Sequence, residues 1–496
     1  MKQAADTMAD AEGVVFPAGA DGRRSSGATG RAVFADALRA VDAAGAQAIE
    51  RERNWRARYL GPARRLVEAA AADAAAAQAI ADAGLASLRR RLQFVRDGAA
   101  TTLETLPPPR ARLTTTRAAG ISKAGPAPIA VPCGGQVLAG DALRRQLDRW
   151  EADGVLEPSC AQALWRVQAN PDWLDLSDQR FALLGAQAEM SPLAYLLRWR
   201  ATVYAVDLPR ADIAQRMMRL AHAGNGTLCL PSRGGDQPAG ADLIRDTPEI
   251  AAWLREVEGP LTVGAYAYLD GAQHVRVAAA MDAIQAEVAA HGGDLTLAML
   301  GTPTDAYAVP ADMLQAAHAR YAARGLAARI AHLASFGRAF ARNGVPLTGA
   351  PARDAAAPAG IVDALVVQQG PNYVLAKRLQ HWRALVARAQ GMRVSFHVAP
   401  PALTGSVLKN RLIAAAYRAA DRFGAQAFEP ATAAALMAAL LVHDLRHPQA
   451  PAQPQVVLAH PLRLLTEAAC HGGLWRMPYA ARSALPLAAA VGMLRR

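Results

Sequence analysis

Tyr373 and Lys377 are four residues apart in QGPNYVLAKRLQHW (369–382), a segment with the pattern of a helix. Residues at this spacing lie one above the other on a helix face. A tyrosine hydroxyl can protonate a substrate oxygen, but its usual pKa near 10 makes it a poor base at neutral pH. A neighbouring ammonium favours the phenolate and lowers that pKa. The spacing therefore predicts a proton-transfer pair; the alternative is a surface lysine beside a core tyrosine.

Lysine is rare in this chain. It occurs only at Lys2, Lys123, Lys377 and Lys409, although lysine and arginine together number 54. Arginine has evidently replaced lysine wherever a diffuse, permanent positive charge is sufficient. The two side chains are not interchangeable where a compact charge that can lose its proton is needed. The retention of Lys377 therefore favours a specific chemical role.

The elements that must position this pair alternate between strands and helices from about residue 180 onward. RFALLGA (180–186) is a predicted strand ending at Gly185, and ATVYAVDLPR (201–210) is a second strand containing Asp207. Asp207 stands about 20 residues after the glycine turn, as an acid that bonds an adenosine ribose does. Strands separated by helices predict an α/β fold with a Rossmann-like, doubly wound parallel sheet.

Composition divides the chain into three predicted parts. Residues 1–30 are rich in Gly, Ala and Ser and are predicted to be mobile. Residues 31–178 are predicted to form a mainly α-helical N-terminal domain, with a Pro/Thr-rich linker at 99–133. Residues 179–496 are predicted to form the Rossmann-like domain, with a helical insertion at about 306–360.

From about residue 179 to residue 475 the chain resembles the short-chain dehydrogenase/reductase family. The resemblance rests on the glycine turn, the Tyr-x-x-x-Lys helix, and the strand and loop RVSFHVAPPALTGS that follow it. It implies a doubly wound fold, a nicotinamide cofactor and a hydroxyl residue that orients the substrate oxygen. The implied catalytic residues are Tyr373, Lys377, Thr302 and Thr304, and the implied cofactor-binding residues are Gly185, Gln187, Ser191, Asp207, Lys377, Pro400 and Thr404.

The sequence departs from the family pattern at several places, of which two bear on the site. The cofactor loop reads LGAQAEMS, so that Glu189 and Ser191 stand where the family has glycines. The family's serine, about 13 residues before the tyrosine, falls at Gly360. Thr302 and Thr304 are the substitutes if 294–305 is the fifth strand. If IVDALVVQQ is that strand, Gln368 or Gln369 takes this place.

The resemblance implies an NAD-dependent oxidoreductase acting on a mostly apolar alcohol or ketone. Asp207 would bond both ribose hydroxyls and repel a 2′-phosphate, which favours NAD, although the nearby Arg210 leaves NADP open. Two alternatives remain. One is a non-catalytic Rossmann-fold scaffold that binds a partner, and the other is a lyase or epimerase that uses tightly bound NAD.

Composition limits the partners. The net charge is +12, but the basic residues form no long run and no platform interleaved with aromatics, so nucleic-acid binding is not predicted. The predicted partner is a small-molecule substrate, with homo-oligomerisation left open. The start MKQAADTMADAEGVVF lacks the pattern of a signal peptide, no segment is long and apolar enough to span a membrane, and the four scattered cysteines indicate the cytoplasm. His443 and His447 lack further ligands, so no metal site is predicted.

Overall fold

The computed structural model describes residues 12–347 and 357–495. The described helices begin with α1 (Ser26–Leu38), α2 (Ala43–Arg51), α3 (Trp55–Arg58), α4 (Leu60–Ala70), α5 (Ala74–Arg91), α6 (Gly140–Ala152), α7 (Pro158–Ala169), α8 (Leu193–Leu196) and α9 (Ala211–His222). They continue with α10 (Thr247–Arg255), α11 (Ala272–His291), α12 (Ala311–Ala322), α13 (Leu326–Ala334), α14 (Pro371–Ala389), α15 (Gly405–Lys409), α16 (Arg411–Arg418), α17 (Pro430–Arg446) and α18 (Ala481–Leu494).

The described strands begin with β1 (Gly13–Val15), β2 (Gln93–Arg96), β3 (Ala99–Thr102), β4 (Thr114–Ala119), β5 (Val131–Cys133), β6 (Gln136–Leu138), β7 (Arg180–Leu184) and β8 (Thr202–Val206). They continue with β9 (Thr227–Ser232), β10 (Leu261–Ala265), β11 (Leu295–Gly301), β12 (Ala306–Val309), β13 (Val345–Pro346), β14 (Gly360–Asp363) and β15 (Arg393–Val398).

A seven-stranded sheet in the order β15-β11-β10-β7-β8-β9-β4 forms the centre of the fold. Six of its strands run parallel, and only β4 is antiparallel to its neighbour β9. The predicted α/β class is thus confirmed. Because the strands β7 to β11 and β15 are parallel, their carboxyl ends all meet at one edge of the sheet, which is where ligands bind in such folds.

Both faces of the sheet are buried. Along β7, Ala182 and Leu184 pack into one hydrophobic core, and Phe181 and Leu183 pack into the other. The first core contains residues of α1, α5, α10, α11 and α14, and the second contains residues of α6, α7, α9 and α17. Strands covered on both sides are uniformly apolar rather than alternating, which explains sequences such as FALL in β7.

The N-terminal helices share a core with the sheet instead of forming a domain of their own. Phe34 of α1 and Leu85 of α5 are buried in the same cluster as Leu297 of β11 and Trp382 of α14. The predicted boundary near residue 178 therefore divides one packed unit. Helical periodicity predicts that a helix has a buried face, but it does not predict which element covers that face.

A buried charge network holds α5 to this core. The Asp282 carboxylate on α11 accepts from Arg89 Nε of α5 at 2.9 Å and from Arg383 Nε of α14 at 2.6 Å. Asp282 is 4 % exposed. Burial by itself would raise the pKa of this carboxyl, but the two guanidinium groups outweigh burial and lower the pKa. One carboxylate thus joins three helices.

Two segments of the N-terminal third, one predicted to be mobile and one predicted to be a linker, contain regular secondary structure. Residues 1–11 of the predicted mobile segment lie outside the described residues, but 13–15 form the buried strand β1 and α1 starts at Ser26. The predicted linker at 99–133 contains β3, β4 and β5. Its Thr-rich part becomes β4 because threonine suits strands and because β9 offers it an unpaired edge.

The predicted insertion is only partly helical. It contains α12 and α13, but β12 and β13 pair with β14 in a small antiparallel sheet. Residues 348–356 lie outside the described residues. Because β14 contains the first residues of IVDALVVQQ and belongs to this small sheet, the fifth parallel strand is β11, which ends beside Thr302.

No helix among the described residues is both long enough and apolar enough to cross a membrane.

Candidate functional site

A cavity of about 530 Å³ opens at the carboxyl edge of the sheet. Its wall includes residues that directly follow three parallel strands: Tyr266 after β10, Thr302 after β11 and Ala399 after β15. Tyr373, Lys377 and Thr304 also line it. The structure therefore brings the four predicted catalytic residues together around one space of the size that holds a small-molecule ligand.

Tyr373 lies in the first turn of α14, and the surface that it exposes belongs to the cavity wall. Burial raises the pKa of Tyr373 to about 12, and the interactions of its hydroxyl with Thr302 and Thr304 oppose that rise only in part. The expectation of a lowered tyrosine pKa is thus contradicted, because burial desolvates the phenolate and the charge of Asp305 adds to the rise. Tyr373 therefore keeps its proton at neutral pH.

Lys377 does not direct its ammonium at the tyrosine. Lys377 Nζ donates to the Leu300 carbonyl oxygen at 3.0 Å and to Gln380 Oε1 at 3.1 Å. An ammonium has three donors, so two are used within the described chain and the third remains available to a ligand in the cavity. Burial lowers the pKa of Lys377 to about 8, an effect that the charge of Asp305 opposes.

Thr302 and Thr304 are fixed in place from two sides. Their hydroxyl oxygens are 2.9 Å apart, and Gln369 Nε2 donates to Thr304 Oγ1 at 2.7 Å. On the other side, Asp305 accepts from Arg378 of α14 in a buried ion pair and from the Ala306 backbone. The hydroxyl pair therefore has a fixed position relative to the helix that carries Tyr373.

The N-terminal region contributes directly to this positioning. The fully buried Tyr59, between α3 and α4, donates its hydroxyl to the Val366 carbonyl oxygen at 3.0 Å and accepts from Gly370 N at 3.1 Å. Gly370 is the N-cap residue of α14. The first turn of α14, and with it Tyr373, is thus anchored to a part of the chain more than 300 residues earlier.

His274 and Tyr268 complete an aromatic cluster around Tyr373. The His274 ring stacks on the Tyr373 ring with centroids 5.6 Å apart, and the Tyr268 ring meets Tyr373 edge-on at 6.2 Å. Burial, and then the charge of Lys377, lower the pKa of His274 to about 3, so the imidazole is neutral. Sequence reasoning missed His274, because it forms no motif with Tyr373.

The predicted adenosine-side residues lie together, but not on the cavity. Gly185 ends β7 with a φ of +88°, and a Cβ there would approach the Ala267 backbone to 2.5 Å, so the turn requires glycine. Asp207 Oδ2 accepts from Gln187 N at 2.9 Å, and Oδ1 accepts from Leu208 N. Asp207 thus closes the turn that Gly185 begins. Each of its carboxylate oxygens already accepts one hydrogen bond from the backbone.

The remaining loop residues do not match a pyrophosphate site in this arrangement. The buried Ser191 precedes α8, a helix of one turn only. Glu189 lines the cavity, and both of its carboxylate oxygens lie 3.1 Å from Gly405 N. A carboxylate facing a pyrophosphate would repel it. Of the predicted cofactor-binding residues, those that line the cavity are Lys377, Pro400 and Thr404.

Pro400 and Thr404 lie on the loop after β15 and line the cavity. Thr404 Oγ1 is 3.0 Å from Ser406 Oγ at the start of α15. Together with Lys377, these residues form the part of the predicted cofactor-binding set that faces the cavity.

A separate histidine cluster lies on the other face of β15. Asp444 Oδ2 is 2.8 Å from His397 Nε2, and Asp444 Oδ1 is 3.3 Å from His443 Nδ1. His447 stacks on Trp173. Within 12–347 and 357–495, no three His, Cys, Asp or Glu side chains are grouped so as to hold a metal ion.

Comparison with known proteins identifies no relative of this chain. The chain matches no protein-family model, no curated protein and no solved structure. The resemblance carried by Tyr373, Lys377 and the order of elements therefore remains a prediction, and a function has to be argued from the site.

Proposed function

We propose that this protein is an oxidoreductase of the short-chain dehydrogenase/reductase type that acts on an apolar alcohol or ketone, with NAD favoured over NADP. The observation that carries the proposal is the convergence of Tyr373, Lys377, Thr302 and Thr304 on one cavity at the carboxyl edge of the sheet. When bound, a nicotinamide cofactor supplies or accepts the hydride.

The chain's own residues provide proton transfer and positioning. Tyr373 retains its proton at neutral pH, so its hydroxyl is ready to protonate the oxygen of a carbonyl substrate. Thr302 and Thr304 lie beside that hydroxyl and can share the substrate oxygen with it. Lys377 supplies a positive charge that stabilises developing negative charge on the oxygen.

The topology supports the same proposal. Without β4, the parallel strands follow the order 6-5-4-1-2-3 along the sheet, counted by their sequence from β7 to β15. This is the order of the doubly wound dinucleotide-binding fold, in which ligands bind where the order reverses, here between β7 and β10. Ala188 and Ala267, which follow those two strands, both line the cavity.

A second candidate function is a non-catalytic binding protein that keeps the sheet as a scaffold. The observation that favours it is Glu189, whose carboxylate is bonded to Gly405 N in the loop where the family carries glycine. In this candidate the cavity binds a ligand but no dinucleotide, and Tyr373 and Lys377 are wall residues.

Titration of the purified protein with NADH, and separately with NADPH, while following cofactor fluorescence tests the proposal. We expect saturable binding of NADH, tighter than that of NADPH, and tighter still in Glu189→Gln, which removes a negative charge from the loop. Absence of binding to both cofactors at millimolar concentration, in the parent and in the variant, would instead support the scaffold candidate.

The pKa of Lys377 predicts the alkaline side of the pH profile. Because Tyr373 stays protonated up to about pH 12, kcat/KM for ketone reduction should fall as pH rises through about 8, where Lys377 loses its proton. In Lys377→Arg, we expect lower activity and weaker NADH binding, since a planar guanidinium does not fit the ammonium's place between Leu300 and Gln380. The kcat/KM of the variant should no longer fall as pH rises through about 8.

The matched control for this experiment is Lys409→Arg at the end of α15, whose profile should equal the parent's. A fall near pH 8 that persists in Lys377→Arg would assign it to another group, and unchanged NADH binding and activity in Lys377→Arg would contradict the role of Lys377.

A further inference from the structure

The cavity has two chemically different parts. Among the described residues, the charged members of its lining all come from outside the C-terminal helices: Arg56, Glu189, Asp270 and Lys377. The described lining residues beyond Asn410 carry no charge, and Gln426 and Tyr417 are their polar members. We name this second part the apolar arm; its lining is Ile413, Ala416, Tyr417, Ala420, Phe423, Ala425, Gln426, Ala427, Leu474, Met477, Ala481, Ala484, Leu485 and Ala488.

Two helix faces line most of the apolar arm. On α16 and the turn after it, Ile413, Ala416 and Ala420 are spaced so that they lie on one face. On α18, the lining residues Ala481, Ala484 and Ala488 follow the same spacing. The two helices pack so closely that a Cβ at Gly492 would overlap the Ala415 carbonyl oxygen. Alanine on both faces leaves room where larger apolar residues would fill the space.

The arm begins beside the reacting end of the cavity. Tyr417 lies on the same α16 face, and its pKa is raised by burial and then by the nearby Tyr373. A substrate carbon held beside the Tyr373 hydroxyl therefore has an uncharged space next to it. A short alcohol or ketone would occupy only part of a cavity of about 530 Å³ and would leave this apolar wall exposed to water.

We propose that the apolar arm binds an aliphatic chain, so that the substrate is an alcohol or ketone of a long, unbranched hydrocarbon. This inference deepens the proposed function. The assignment of an alcohol or ketone group to the substrate rests on that function, whereas binding of the aliphatic chain does not. An uncharged wall favours a hydrocarbon over a polar or ionised chain, because a charged group placed there would lose its hydration without gaining a partner. Small residues facing each other favour a narrow chain over a bulky ring system.

Calorimetric titration with propanol, hexanol and decanol, without any cofactor, tests the inference. Each methylene that leaves water should tighten binding by about fourfold, until the chain fills the arm. In Ala484→Phe, whose ring would occupy the arm, decanol should bind at least about tenfold more weakly while propanol binding is unchanged. Ala490→Phe places the same ring on the exposed side of α18 and should behave as the parent does.

Because a phenylalanine inside a packed wall can strain the fold, Ala416→Leu on the facing helix provides a second obstruction, and thermal melts identify folded variants. Equal affinity for propanol and decanol, or decanol binding that is unchanged in the folded variants, would overturn the inference. This outcome is separable from failure of the proposed function. Decanol binding without NADH binding would support the chain-binding role of the apolar arm and contradict the oxidoreductase proposal. NADH-dependent reduction of short ketones only would support the oxidoreductase proposal and contradict the role of the arm.

Discussion

Tyr373→Phe should lower turnover by about 10²–10⁴, the range expected when a general acid is lost. The change removes one hydroxyl from a ring that still stacks on His274 and still meets Tyr268 edge-on. The ring contacts of Tyr373 therefore remain, and Pro400 and Thr404 keep their places in the cavity wall. We expect an unchanged melting temperature and an unchanged NADH affinity, with the loss confined to the chemical step.

The measurement is steady-state turnover together with a thermal melt and an NADH titration on the same preparation. Tyr195→Phe is the matched control, because the Tyr195 hydroxyl donates to the Ala431 carbonyl oxygen and does not line the cavity. Its turnover should remain within about twofold of the parent's, since no catalytic proton transfer is removed. If Tyr373→Phe loses melting temperature and activity in proportion, Tyr373 is a core residue and not the proton donor.

Asp282→Asn should lower the free energy of unfolding by about 3–5 kcal/mol, the range for removing one partner of a buried ion pair. The amide has nearly the same shape, so the change isolates charge. It leaves Arg383, which is 6 % exposed, and the partly buried Arg89 facing each other without an anion between them. Because Asp282 joins α5, α11 and α14, the loss should extend to the helix that carries Tyr373.

Urea unfolding measures this effect, with Asp82→Asn on the exposed side of α5 as the control that should change stability by less than about 0.5 kcal/mol. Since folding lowers the pKa of Asp282, its contribution is present above the ordinary aspartate pKa of about 4 and is lost as pH falls through the folded value. The difference between parent and variant should therefore shrink in acid. A constant difference at all pH values would mean that the lost charge is not its cause.

The sequence predicted those parts of the fold that depend on local pattern. Uncharged runs such as FALL predicted β7 because a strand covered on both faces has no alternation. The helix carrying Tyr373 and the strand ending near Thr302 were predicted for similar reasons. The sequence could not decide between Thr302 and Gln369 as the replacement for the family's serine, because that depends on which strand joins the large sheet. In the structure both residues line the cavity, and Gln369 donates a hydrogen bond to Thr304.

What the sequence did not predict depends on contacts between distant segments. The pKa of Tyr373 was expected to fall because a lysine is one turn away, but desolvation is set by the surrounding elements and not by spacing. The role of the first hundred residues was missed for the same reason. Tyr59 has no neighbour in sequence that indicates a bond to Gly370, which lies more than 300 residues later.

Strand β4 pairs with β9, a strand that follows it much later in the chain. β4 is synthesised more than a hundred residues before β9, the strand with which it pairs, so it must wait without a partner while the sheet forms. Once in place, it covers a parallel edge strand whose free backbone groups would otherwise invite pairing with another molecule. Proteolytic removal of residues before β7 would uncover that edge, and we expect the fragment to aggregate rather than persist as a smaller folded protein.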